Sequence, residues 1–95
     1  MHGLRAGDDV VIILPESPTT GFRWAIDSLD RQLLRPQDDE FLVSPDSGVG
    51  GGGERKLTFV AQQSGGTHII LKLCRDWIGD SSTIRRFDVQ IRIAA

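Results

Sequence analysis

The chain is 95 residues long, with 39% hydrophobic and 25% charged residues and a formal net charge of -2. This is ordinary usage for a single folded domain spanning 1–95, able to bury about two-thirds of the surface its unfolded chain exposes. It excludes wholesale disorder, and the interspersed charges give no basis for binding nucleic acid or an anionic membrane. The one cysteine, Cys74, excludes an intramolecular disulfide framework and argues against a cysteine-based metal site. No apolar run approaches the roughly 18 residues of a membrane span. The residues before Val10 lack the apolar stretch of a signal peptide. A cytoplasmic protein is the expectation if Met1 is the native start, and a periplasmic or secreted one if a leader was removed.

The hydrophobic pattern has period two. Residues 10–14 (Val-Val-Ile-Ile-Leu) are β-branched, apolar on both sides and stopped by Pro15, which predicts a central strand. Residues 22–26 carry Phe22, Trp24 and Ile26 on one face. Residues 27–34 have room for a helical turn at most. Leu33-Leu34 and Phe41-Leu42-Val43 predict two short strands, separated by Pro36 and the carboxylates Asp38, Asp39 and Glu40. Residues 56–61 alternate through Leu57, Phe59 and Ala61. Residues 67–74 place Ile69, Leu71 and Leu73 on one face, with Ile70 and Cys74 on the other. Residues 86–93 give the clearest pattern, Phe87, Val89, Ile91 and Ile93 inward against Arg86, Asp88, Gln90 and Arg92 outward. About seven short strands punctuated by Pro and Gly predict an all-β, immunoglobulin-like antiparallel β-sandwich.

Several motifs fail on context. Gly48, Gly50 and Gly53 match G-x-G-x-x-G, but a phosphate cradle needs a strand before it and a helix after it, and residues 54–59 are strand-like. His68 and Cys74 lie six residues apart in one predicted strand, hence about 20 Å apart, too far for a base and its nucleophile. Two histidines, one of them His2, make no metal constellation. The Asp38-Asp39-Glu40 cluster reads as a solvated loop, and Ser17, Thr19 and Thr20 have no general base at a recognisable offset. No cofactor is implied, and an enzyme is the least supported class.

Three loops stand out. The first is Ser17-Pro18-Thr19-Thr20-Gly21-Phe22, in which Pro18 fixes φ and Gly21 supplies conformations other residues avoid. A plain turn would use the same residues. The second is Gly50-Gly51-Gly52-Gly53 ahead of Leu57 and Phe59, either a flexible connector or a surface where backbone meets a partner closely. The third is Arg75-Asp76-Trp77, with two of the residue types most enriched at binding hot spots. In immunoglobulin order these are the B–C, D–E and F–G loops, which emerge at one end of the sandwich.

In that order and approximate spacing, the three segments resemble the chagasin family of cysteine-peptidase inhibitors. The family is marked by an Asn-Pro-Thr-Thr-Gly-Phe loop, a Gly-x-Gly-Gly loop followed by an aromatic or apolar-x-aromatic pair (here Leu57-Thr58-Phe59), and an Arg-Pro-Trp loop. Here Ser17 replaces the Asn and Asp76 replaces the Pro, and Gly48-Val49-Gly50-Gly51 is a competing register for the second loop. Family members usually carry a further N-terminal strand, which so few residues before Val10 predict to be shortened or missing. The resemblance implies a reversible inhibitor of papain-like cysteine proteases that wedges three loops into the active-site cleft. Pro18, Thr19, Thr20, Gly21 and Phe22 would lie over the catalytic pair in an uncleavable register. Gly50, Gly51, Gly52 and Gly53 would meet one wall by backbone contact. Trp77 would pack on the other wall, with Arg75 adding polar or cation–π contacts, and Asp76 would weaken the fit. A monomer is expected, with an edge-strand dimer as the other arrangement. The alternative function is a non-inhibitory immunoglobulin-like interaction module using the same edge.

Overall fold

In the computed structural model, residues 2–17, 21–43, 52–75 and 82–95 are described, with the side chains of residues 2 and 3 left aside. Seven strands follow in chain order: β1 His2–Arg5, β2 Asp9–Glu16, β3 Arg23–Leu29, β4 Leu34–Val43, β5 Gly53–Ala61, β6 Gly65–Cys74 and β7 Arg85–Ala94. They form two sheets, one in the order β1-β7-β6-β3 and the other in the order β2-β5-β4. The inward residues of both sheets make the core. Leu34, Phe59, Ile69, Leu71 and Ile91 are its largest fully enclosed side chains, and Trp24, Leu57 and Ile93 pack with them. The alternation expected of residues 86–93 holds, with Ile91 and Ile93 buried and Gln90 and Arg92 exposed. Cys74 is buried at the end of β6. His68, six residues earlier in that strand, is exposed and meets Asp88 at 2.8 Å.

The strands differ from the sequence expectations in three places. First, β2 lies at a sheet edge, and β5 is the central strand of its sheet. Val11 and Ile13 are 49% and 48% exposed, on the outer face of that sheet. Pro15 sits inside β2 opposite Glu54 instead of ending it, as an edge strand permits where the missing N–H faces solvent. In β5, by contrast, even Thr58 is buried.

Second, residues 33–34 and 41–43 do not mark two separate strands. Leu34–Val43 is one strand whose register against β5 shifts between Pro36 and Asp38. That irregularity accommodates the proline. The carboxylates stay in the strand because cations on β5 face them: Asp39 meets Arg55 at 2.9 Å and Glu40 meets Lys56 at 3.9 Å.

Third, β3 begins after Phe22 and runs on to Leu29 through a register shift between Ile26 and Ser28. The tight turn is confined to Asp30–Leu34, where the Asp30 carbonyl accepts from the Leu33 and Leu34 amides. The N-terminal strand, expected to be shortened or missing, is present and short. It is four residues long and pairs parallel with β7, from His2 opposite Ile91 to Arg5 opposite Ala94. All other pairings are antiparallel. The Asp8 carboxylate accepts from the Arg5 amide at 2.9 Å, and Gly7 takes a φ of 95°, so the chain turns from one sheet to the other.

Candidate functional site

The strand registers gather the loop stems at one end of the sandwich. Glu16 ends β2 opposite Gly53, which starts β5, and Val43 ends β4 opposite the same Gly53. In the facing sheet Arg23 starts β3 opposite Cys74, which ends β6, and Leu73 pairs with Arg85 at the start of β7. The sheets join at this end. The Trp24 amide donates to Glu16 Oε1 at 2.8 Å, and the Trp24 indole N–H donates to the Pro15 carbonyl at 2.9 Å. The segments between β2 and β3, β4 and β5, and β6 and β7 are the three loops singled out from sequence. All three therefore leave from one pole.

Of the residues expected to meet a partner, Gly21, Phe22, Gly52, Gly53 and Arg75 are described. Pro18, Thr19, Thr20, Gly50, Gly51, Asp76 and Trp77 lie outside the described residues. Gly21 has a φ of 80°, a left-handed value that glycine adopts without strain. Gly53 is required by close approach. A Cβ there would collide with the Leu42 carbonyl oxygen and lie 2.7 Å from Phe41 Cζ. A Cβ at Gly52 would lie 3.1 Å from Ser17 Oγ and 3.4 Å from the Glu16 carbonyl, so the second loop's base runs directly against the first loop's.

Arg75 binds inward. Its guanidinium carbon lies 4.6 Å from the centre of the Phe22 ring, a cation–π contact joining the third stem to the first. Its amide donates to Ser82 Oγ at 2.8 Å, and that hydroxyl donates back to the Arg75 carbonyl at 3.3 Å, closing the base of the third loop. Beside these stems lies an open groove of about 440 Å³, lined by Pro15, Glu16, Ser17, Phe22, Leu73, Ile84 and Arg85. Among the described residues, exposed apolar side chains flank this end: Leu42 and Val43 on β4, at 38% and 72%, and Ile84 before β7, at 60%.

Two site residues were not anticipated from the sequence. The Glu16 side chain is only 2% exposed and is gripped by Arg55 of β5, with Nη2 to Oε2 at 2.7 Å and Nε at 3.2 and 3.3 Å from the two oxygens. Arg55 Nη1 also donates to Asp39 Oδ1 at 2.9 Å, and its guanidinium carbon stands 5.6 Å from the Phe41 ring centre. The hydrogen bond to Glu16 is the main cause of a raised Arg55 pKa, so the guanidinium stays charged. The signal was present. Glu16 continues the inward series Val10, Ile12, Leu14, and Arg55 precedes Leu57, Phe59 and Ala61 on the inward face. Opposite charges on two buried faces call for each other.

The same architecture is found in known proteins. The description "Chagasin family peptidase inhibitor I42" matches residues 3–91. Chagasin from Trypanosoma cruzi is 34% identical over 92 residues, covering 90% of this chain and 82% of chagasin. Two solved structures share the fold. The cysteine protease inhibitor EhICP2 from Entamoeba histolytica aligns with a TM-score of 0.78 at 21% identity, over 97% of this chain and 85% of its own. Amebosin aligns with a TM-score of 0.79 at 26% identity, over 98% of this chain and 87% of its own. With its sandwich, its three stems at one pole and a family match across nearly its whole length, this chain belongs to the chagasin family of peptidase inhibitors.

Proposed function

We propose that this chain reversibly inhibits papain-family cysteine proteases by lodging three adjacent loops in the active-site cleft. It acts as one domain and as a monomer, by occlusion and without chemistry of its own. The observation that most supports this is the meeting of all three loop stems at one pole, tied to each other by Trp24 to Glu16 and by Arg75 to Phe22. EhICP2 is itself described as a cysteine protease inhibitor.

In this reading Pro18, Thr19, Thr20, Gly21 and Phe22 cover the catalytic pair. Gly50, Gly51, Gly52 and Gly53 allow the backbone to meet one wall of the cleft, and Trp77 packs on the other. Asp76 stands beside Trp77 as a negative charge. Arg75 acts through Phe22, bracing the first loop, more than through the protease. Stems held in one arrangement lose little entropy on docking, which is where preorganised binders gain affinity. The test is a titration of papain with the intact protein and with Trp77→Ala. The intact chain should inhibit, and Trp77→Ala should weaken inhibition by about 2 kcal/mol, roughly thirtyfold. A protease fully active in micromolar protein would overturn the reading.

A further inference from the structure

The Glu16 carboxylate touches both sides of the first loop and the far side of the second. It sits at the last position of β2, where the first loop leaves. One oxygen accepts the amide of Trp24, eight residues on, after the chain has crossed to the other sheet. Both oxygens accept from Arg55, two residues past Gly53, where the second loop has just returned. Arg55 is held in turn on its other side by Asp39 of β4, which also meets Arg23 of β3 at 3.5 Å. The chain of contacts therefore runs from the end of β2 through the start of β5 to β4 and the start of β3.

A buried carboxylate paired with a partly buried guanidinium is an expensive way to fill space, since apolar residues of the same volume often stabilise a fold as well or better. The pair supplies direction instead. A bidentate fork on a fixed carboxylate sets distance and angle together, and the same carboxylate fixes the amide of Trp24. We propose that Glu16 and Arg55 are positioning residues for inhibition: they lock the first loop to the second, so that both present one preassembled surface and the first loop stays uncut. This rests on the inhibitory reading above and adds to it the device that sets the loops.

The experiment compares wild type with Glu16→Gln, which keeps an acceptor for the Trp24 amide but loses the charge, and with Arg55→Lys, which keeps the charge but loses the fork. Papain inhibition is measured at a temperature where circular dichroism shows each variant fully folded. Mass spectrometry follows cleavage within residues 17–22, and hydrogen exchange of the free proteins is read at residues 21–24 and 53–55. Both variants should inhibit about tenfold or more weakly, because ordering entropy is now lost on docking. Both should be cut within the first loop on prolonged incubation, and both should exchange faster at the two stems together. Should Glu16→Gln fail to fold, Arg55→Lys carries the same expectations. Inhibition indistinguishable from wild type in a folded variant, or faster exchange at one stem alone, overturns the proposal. If wild type itself leaves papain active, the inhibitory reading fails, and exchange at the two stems decides the coupling without it.

Discussion

The contact between Arg75 and Phe22 yields a sharp test of how the third loop is tied to the first. The guanidinium carbon stands 4.6 Å from the ring centre, inside the roughly 6 Å reach of a cation–π interaction. Both side chains are half-buried, so the contact falls between the exposed value of about 0.5 kcal/mol and the desolvated value of about 2 kcal/mol. We take about 1 kcal/mol, close to fivefold in the folding equilibrium. The perturbation is a double-mutant cycle with Arg75→Met and Phe22→Leu, which keep bulk on both sides while removing charge and ring. The Arg75 backbone bonds to Ser82 stay available in all four proteins. Urea denaturation should give a coupling energy of about 1 kcal/mol. Papain inhibition by the same four proteins should show coupling of the same sign, because Arg75→Met should cost little once Phe22 is already Leu. A stability coupling of zero would refute the brace. An inhibition loss from Arg75→Met that is equally large in both backgrounds would place Arg75 in direct contact with the protease instead.

Other outcomes follow from the same packing. Gly53→Ala should destabilise the protein by about 1–3 kcal/mol, because its Cβ meets the Leu42 carbonyl and Phe41 with no room to shift. Gly66→Ala, with nothing within 4 Å of the added carbon, should change stability by less than about 0.5 kcal/mol in the same urea titrations. Phe59→Ala empties the centre of the sandwich, where Phe59 is 1% exposed, and should cost about 3–5 kcal/mol by thermal or urea unfolding. Arg55→Met leaves the buried Glu16 carboxylate unpaired and should cost a similar amount, about 3–5 kcal/mol. The Arg55 pKa is raised in the folded state, so its contribution is complete below the ordinary guanidinium range and is lost only in strong base. The stability gap between wild type and Arg55→Met should therefore not narrow as pH rises from about 6 to 10. A gap that closes within that window would show that Arg55 is not what holds Glu16.

Much of this protein was legible in its residue order. Period-two alternation through Leu57, Phe59 and Ala61 and through Ile91 and Ile93 marked inward faces that the fold buries. The Pro and Gly clusters marked the three loops, and the loop motifs pointed to the family that the comparisons then showed. Local patterns suffice there because side-chain alternation and turn chemistry are properties of a few consecutive residues. Neighbour relations are not. Residues 10–14 look the same whether their outer face is covered or bare, and only the sheet order shows that β2 is an edge with Val11 and Ile13 in solvent. Pro36 and the carboxylates looked like a break because their partners, Arg55 and Lys56, are distant in sequence. The same is true of the site. Residue order named the loops, but Glu16 and Arg55 are 39 positions apart. Their pairing arises only when β2 and β5 align in register, because a buried charge takes its meaning from whichever opposite charge the fold brings within reach.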